Sequence, residues 1–363
     1  MGEKKQRKST LWRALQIALA VVIVVAVFVE VIPQIADYGA VWDTLARLSA
    51  SQLALVVGIA VLNLVTYWVQ SMAALPGLTL WMAAVQTQTT TTIANTVPGG
   101  GAAAVGMSFA MFRSWGYSDG DVVRYTLVTG IWNTYIKLGL PVIALALVAL
   151  EGRANQQLAI ASVIGVAVLI ASVVVLAAIL WKESLARRIG SALQRPVRWV
   201  ERRVHRKDTK DWGKAAVAFR RDTIELLRAR WLWLTLATIV SHVTLYLVLL
   251  VSLRIVGVPQ SQVTWIDAFA AFSFARLVTA LPVTPGGVGV IELSYIGTLV
   301  WAGGSHTDVV AAVLLFRALT YFLQIPLGAI TYPIWQRTKD TWRRTDARER
   351  SAARRREPSR AAG

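Results

Sequence analysis

The feature that most constrains the fold of this chain is a break inside an apolar segment at residues 281–292, which read Leu-Pro-Val-Thr-Pro-Gly-Gly-Val-Gly-Val-Ile-Glu. Proline removes a backbone donor and clashes with the preceding helical turn, and paired glycines weaken a helix further. A helix arriving at Pro282 should therefore stop before Gly287, and a new helix then begins with Glu292 in its first turns. Inside a bilayer, the backbone groups freed by such a break are tolerated only where protein buries them or a wet cavity receives them. The break predicts a functional site at membrane depth.

The rest of the chain is too apolar for a soluble protein. Of its 363 residues 55% are hydrophobic and only 16% are charged, and the mean hydropathy is +0.53. Several apolar runs reach the length of about 20 residues that a helix needs to cross a bilayer. The sequence contains no cysteine and only three histidines, far apart, so thiol catalysis is excluded and neither a metal nor another cofactor is expected. We expect an all-α polytopic membrane protein.

The net charge of +18 is concentrated in three segments. Residues 1–13 carry +4, residues 182–230 carry +9 and residues 336–363 carry +6. Basic segments next to apolar helices are typical of cytoplasmic loops. We therefore expect both termini and the central loop on the cytoplasmic side of a bacterial plasma membrane, facing anionic lipid, and we expect no nucleic-acid partner. The sequence leaves protein partners open.

About six segments are long and apolar enough to span the membrane. They lie at about 15–32, 53–74, 122–150, 157–181, 232–256 and 307–335. The first follows the basic N-terminus 1–14; a signal peptide is the alternative, but the run is long and no small-x-small cleavage site follows, which favours a retained helix. Part of the basic loop 182–230 has apolar residues at helical spacing and is expected to lie along the membrane surface. The basic tail 336–363 lacks apolar periodicity and is expected to be disordered.

Two further apolar segments are interrupted. Residues 81–113 break at Asn-Thr-Val-Pro-Gly-Gly-Gly, and residues 267–303 break at Pro-Gly-Gly-Val-Gly. Each half is short for a span, so each segment predicts a re-entrant helical hairpin; for the first, the alternative is one polar spanning helix followed by a loop. The first hairpin is expected to enter from the cytoplasm and the second from outside. The chain then forms an inverted repeat, with one membrane unit at 15–150 and the other at 151–335.

Matching interruptions in two oppositely oriented halves are typical of a transporter whose binding site lies near the midplane. The run at 285–292, the run at 95–101 and Arg317 in the last helix together resemble the flippase-like transmembrane domain of lysylphosphatidylglycerol synthases, over residues 12–336. In the full-length synthases a cytoplasmic aminoacyl-transfer domain follows the membrane part, whereas here a short basic tail follows. The resemblance therefore implies lipid translocation at most and does not imply synthase activity. No catalytic motif is visible, so we expect no enzyme.

Four ionisable residues fall well inside the predicted membrane segments: Lys137, Arg276, Glu292 and Arg317, with His242 as a weaker fifth. Charges inside the membrane are expensive and are functional candidates by default. Three cations and one anion suit a phosphate-bearing head group, because a guanidinium binds phosphate through two parallel hydrogen bonds. The alternative for Glu292 is a structural role, in which it neutralises Arg276 or Arg317.

The residues of the two breaks complete the predicted substrate site, since a helix that starts after a break offers free N–H groups and a positive dipole end. The whole set is Lys137, Arg276, Glu292, Arg317, Pro98, Gly99, Gly100, Pro285, Gly286 and Gly287.

The leading hypothesis is a lipid flippase-type transporter that moves a phospholipid or a polyprenyl-phosphate-linked glycolipid between leaflets. The alternatives are an intramembrane glycosyl- or lipid-modifying transferase and an accessory subunit of a cell-envelope pathway. A transferase of this kind usually needs acidic residues on a substantial outer loop, and the loops predicted here are short.

Overall fold

The structure is a computed structural model that describes residues 37–97, 100–152, 156–185, 187–188, 191–192, 212–279 and 284–356. These residues form helices and turns without a strand. In the described residues eleven α-helices are fully delimited: α1 Tyr38–Ala46, α2 Ala50–Ala74, α3 Leu80–Thr96, α4 Gly100–Ser114, α5 Asp119–Leu150, α6 Gln156–Trp181, α7 Trp212–Ile255, α8 Trp265–Val278, α9 Val290–Trp301, α10 His306–Arg317 and α11 Gln324–Arg356.

Five stretches of the described chain are long and apolar enough to cross a membrane. They are Ala50–Ala74 in α2, Asp119–Leu150 in α5, Val163–Trp181 in α6, Ala216–Ile255 in α7 and His306–Trp342 across α10 and α11. They correspond to five of the six predicted spans, and the sixth, at 15–32, lies outside the described residues. The prediction of an all-α polytopic membrane protein is confirmed.

Both interrupted segments are pairs of short helices that pack against each other. The first pair is α3 with 17 residues and α4 with 15, and the second is α8 with 14 residues and α9 with 12. At about 1.5 Å per residue these helices are shorter than the roughly 30 Å of the hydrocarbon core. The geometry agrees with two helical hairpins, whereas their depth in the bilayer and the inverted repeat stay predictions.

Three segments are more helical than expected. The segment between the predicted spans 15–32 and 53–74, expected as a loop, contains α1, whose first turn is capped by the Asp37 carboxylate accepting from the Ala40 backbone N–H at 2.9 Å. Helix α7 begins well before the predicted start at 232, inside the predicted loop 182–230. Helix α11 continues to Arg356, so the expected disorder of the tail 336–363 is corrected over 336–356. Arginine, alanine and glutamate are good helix formers, and a helix that already leaves the membrane needs no apolar periodicity to continue.

Two clusters of buried apolar side chains hold the helices together. One joins the second hairpin to α10 and contains Phe272 of α8 and Tyr295 of α9, both almost completely buried. The other surrounds the first hairpin and contains Phe112 of α4 and the adjacent Trp115. Helices α2, α5 and α7 contribute to both clusters. Each hairpin thus has its own core, and the long helices connect the two.

Candidate functional site

The second interruption is a tight turn that depends on glycine. Pro285–Gly287 form one 3-10 turn, in which the Gly287 N–H donates to the Thr284 carbonyl at 2.9 Å. Gly286 and Gly287 have φ angles of 61° and 70°, in the left-handed region that favours glycine. A Cβ atom on Gly286 would overlap with the ring of Tyr321. Backbone conformation and packing therefore both require glycine at this turn.

Glu292 is fully buried at the start of α9, and the protein uses both of its carboxylate oxygens. Oε2 accepts from the Gly289 backbone N–H at 2.7 Å, which caps the helix to which Glu292 belongs. Oε1 accepts from Nε of Arg317 at 2.6 Å. A carboxylate in the first turn is also stabilised by the positive end of the helix dipole. This geometry favours the structural role for Glu292, as the counter-ion of Arg317.

Arg317, at the end of α10, ties the turn to the last helices. Besides Glu292, its guanidinium contacts the Gly286 carbonyl, with Nη2 donating at 3.4 Å, and it stacks over the ring of Tyr321 at 4.2 Å from the centroid. Its side chain is 8% exposed. Two of its donor nitrogens are thus engaged by the protein.

Tyr321 joins the second hairpin to the first. It lies on a π-helical turn, Ala318–Phe322, between α10 and α11, and such turns occur often at functional sites. Its hydroxyl donates to the backbone carbonyl of Asn95, in the last turn of α3, at 2.9 Å. Because the same ring abuts Gly286, the two helix breaks lie side by side.

The first interruption brings two helix backbones into contact. Residues 98 and 99, which include the predicted site residues Pro98 and Gly99, lie outside the described part of the chain. A Cβ atom on Gly100 would lie 2.6 Å from the Ile93 carbonyl oxygen and would overlap with that of Ala94. Glycine at the start of α4 therefore permits the close approach of α3.

The threonines of α3 mediate its contact with α11. Thr92 donates to the Gln324 carbonyl at 2.7 Å, and the hydroxyls of Thr89 and Thr331 are 2.9 Å apart. A Cβ atom on Gly328 would overlap with Thr92. Small and hydroxylated residues allow such close packing of membrane helices.

Two further cationic side chains and a histidine come together on three helices that pack pairwise. Lys137 lies on α5, His242 on α7 and Arg276 on α8, and each interacts electrostatically with the other two. Nε2 of His242 and Nε of Arg276 are buried and make no hydrogen bond. Among the described residues, no carboxylate forms an ion pair with Lys137 or Arg276. In the described part of the chain, this cation cluster of Lys137 and Arg276, with His242 beside them, therefore lacks an internal counter-ion.

Tyr295 of α9 relates the cation cluster to the paired charges. It is 2% exposed and interacts electrostatically with Arg276, Glu292 and Arg317. The structure thus places all four predicted charges in one region but divides them into a closed pair, Glu292 with Arg317, and an open group that contains Lys137 and Arg276.

Sequence reasoning missed Tyr295 and Tyr321 and ranked His242 below the other charges. A signal for Tyr321 exists, since it follows Arg317 by four residues and shares its helix face. The contribution of Asn95 is a backbone carbonyl, for which a sequence carries no signal.

Fold and site together define a polytopic α-helical membrane protein in which two interrupted helix pairs meet beside buried charges. Residues 15–328 match the lysylphosphatidylglycerol synthase transmembrane region, and the chain belongs to this family. A UPF0104 membrane protein of Methanocaldococcus jannaschii is 35% identical over 71 residues, which cover 19% of this chain and 30% of that protein. The family expected from the two helix breaks and Arg317 is confirmed.

Proposed function

We propose that this protein moves a phosphate-bearing lipid, either a phospholipid or a polyprenyl-phosphate-linked glycolipid, between the leaflets of a bacterial plasma membrane. The observation that carries the proposal is the cation cluster, in which Lys137 and Arg276 lie beside His242 within apolar helices and form no ion pair with a carboxylate of the described residues. Uncompensated positive charge inside a membrane is costly and calls for an anionic ligand. A lipid phosphate reaches this position without leaving the bilayer.

The meeting of the two helix breaks supports a transport role. Interrupted helices that meet near the midplane are a recurrent way to build a transporter site, because they bring polar backbone to the ligand. Here Tyr321 contacts both breaks, and the Glu292–Arg317 pair fixes the second one. The site thus combines unpaired cations with a rigid frame.

The proposed orientation places both termini and the loop 182–230 in the cytoplasm. Exposed tryptophans fit the two predicted interfaces without choosing the orientation, because the residue is enriched at both sides of a membrane. Trp42, Trp265 and Trp301 lie in segments that the charge pattern assigns to the outside, and Trp81, Trp181, Trp231 and Trp233 lie in segments that it assigns to the cytoplasm. A cysteine introduced at position 200 of this cysteine-free chain should not react with an impermeant thiol reagent in intact cells. Labelling at this position would show that the loop faces the outside and would contradict the proposed orientation.

Lipid movement is testable with the purified full chain in vesicles that contain a fluorescent phospholipid. We expect the rate of lipid exchange between the two leaflets to be well above the rate in vesicles without protein. Arg276→Lys keeps the charge but loses the planar fork, and we expect it to slow exchange about tenfold, the effect of losing one hydrogen bond to a charged group.

The matched control is Arg187→Lys, on an arginine whose side chain is 64% exposed. It should exchange lipid at the wild-type rate. Exchange no faster than in empty vesicles, with either phospholipid or polyprenyl-phosphate probes, would contradict transport and favour an intramembrane transferase or an accessory subunit.

A further inference from the structure

The two charge groups of the site differ in what they leave open to a ligand. Arg317 donates from Nε to Glu292 and from Nη2 to Gly286, and its face is covered by Tyr321. Arg276 keeps its buried Nε free of any hydrogen bond. Among the described hydrogen bonds the Arg276 side chain donates none, so it retains more donors for an incoming anion than Arg317 does.

His242 offers a hydrogen-bond acceptor, which an anion without an O–H or N–H group cannot use. Its Nδ1 lies 3.0 Å from the Thr238 carbonyl oxygen, which only accepts, so Nδ1 carries the proton in that contact. In the neutral ring Nε2 then has a lone pair and acts as an acceptor. This atom is buried without a partner, in a side chain that is 1% exposed. His242 Nε2 can therefore accept a hydrogen bond from a ligand that the neighbouring Lys137 and Arg276 attract.

We propose that Lys137, His242 and Arg276 form a binding site for a phosphate group that carries an adjoining O–H donor. Lys137 and Arg276 bind the phosphate oxygens, and Nε2 of His242 accepts from the hydroxyl. The donor is either a hydroxyl of the head group or the protonated oxygen of a phosphomonoester. The inference rests on the proposed transport function and narrows it: Glu292 and Arg317 hold the hairpins, whereas the other three side chains contact the lipid.

Binding of short-chain lipids to the detergent-purified full chain tests the site by calorimetry. Dihexanoyl phosphatidylethylene glycol and dihexanoyl phosphatidylethanol have the same charge and differ by one hydroxyl, and dihexanoyl phosphatidic acid supplies the phosphomonoester. We expect the ethylene glycol lipid, the phosphatidic acid or both to bind at least about fivefold more tightly than the ethanol lipid, the effect of one added hydrogen bond. Which of the two binds identifies the source of the donor. Equal affinity for all three lipids would overturn the role of His242.

Variants assign the contacts. Lys137→Gln and Arg276→Gln should each weaken the binding of the preferred lipid about tenfold or more, whereas Arg187→Gln should leave it unchanged. His242→Phe removes both ring nitrogens and should abolish only the preference for the O–H donor. Thermal unfolding without lipid shows that each variant is folded, and the comparison of lipids on the unaltered protein needs no variant.

The experiments can reject the proposed binding site and the proposed transport function independently. If Arg276→Gln loses lipid binding and the unaltered protein moves no lipid in vesicles, the site stands and transport is wrong. If lipid movement survives both Lys137→Gln and Arg276→Gln, the site is wrong and transport stands.

Discussion

Replacing Glu292 with glutamine is expected to lower the free energy of unfolding by about 3 kcal/mol or more, because it leaves Arg317 charged and buried without a counter-ion. Glu292 is fully buried and its carboxylate also caps α9 through the Gly289 N–H. The amide keeps one acceptor for these two donors but not the charge. Chemical unfolding of the purified protein in detergent, followed by tryptophan fluorescence, measures the loss.

The double variant Glu292→Gln with Arg317→Gln should recover part of that loss, since both members of the pair are then neutral. Asp119→Asn is the control, because it breaks an ion pair with Arg113 whose side chains are 57% and 55% exposed, and exposed pairs contribute less than about 1 kcal/mol. If Glu292→Gln is as stable as the unaltered protein, the pair does not hold the second hairpin. If it is less stable but its folded fraction still moves lipid at the normal rate, Glu292 is a structural counter-ion, as proposed.

Replacing Gly100 with alanine is expected to cost about 2 kcal/mol or more, because the added methyl group overpacks a contact with backbone atoms that have little room to move. The methyl carbon would lie 2.6 Å from the Ile93 carbonyl oxygen and closer still to that of Ala94. Separating α3 from α4 would also disturb Asn95, which accepts from Tyr321. The variant should therefore lose both stability and lipid movement.

The neighbouring Gly101 is a matched control. A Cβ atom there has no heavy atom within 4 Å, and alanine is favoured over glycine in a helix by up to about 1 kcal/mol. Gly101→Ala should therefore be neutral or stabilising by the same unfolding measurement. Equal effects of the two substitutions would show that the close approach of α3 and α4 does not exist.

Much of the fold follows from local sequence physics. Apolar length predicts the spanning helices, and the Pro-Gly runs at 95–101 and 285–292 place both breaks, because proline and glycine act on the backbone of their own segment. The ends of α7 and α11 were predicted less well. Hydropathy indicates where a helix leaves the hydrocarbon core of the membrane, and it does not indicate where the backbone hydrogen bonding of the helix ends. For this reason the polar extensions at 212–231 and 336–356 were expected to be a loop and a disordered tail.

The site could be predicted as a set of residues but not as an arrangement. The cost of burying charge marks Lys137, Arg276, Glu292 and Arg317. Which cation pairs with Glu292 depends on how α9 packs against α10, and both arginines were open alternatives in the sequence. The link from Tyr321 to Asn95 joins residues 226 apart in the chain, which no local pattern specifies.

We propose that both helix breaks meet inside the membrane beside the cation cluster. An experimental structure of the full chain in lipid nanodiscs tests it most directly, since the disc shows where the bilayer lies. We predict that the backbone at Gly100 and at Gly286 lies in the central third of the hydrocarbon core, with the Tyr321 hydroxyl bonded to Asn95. Either break at the bilayer surface, or an uninterrupted helix spanning the membrane at either position, would contradict the account.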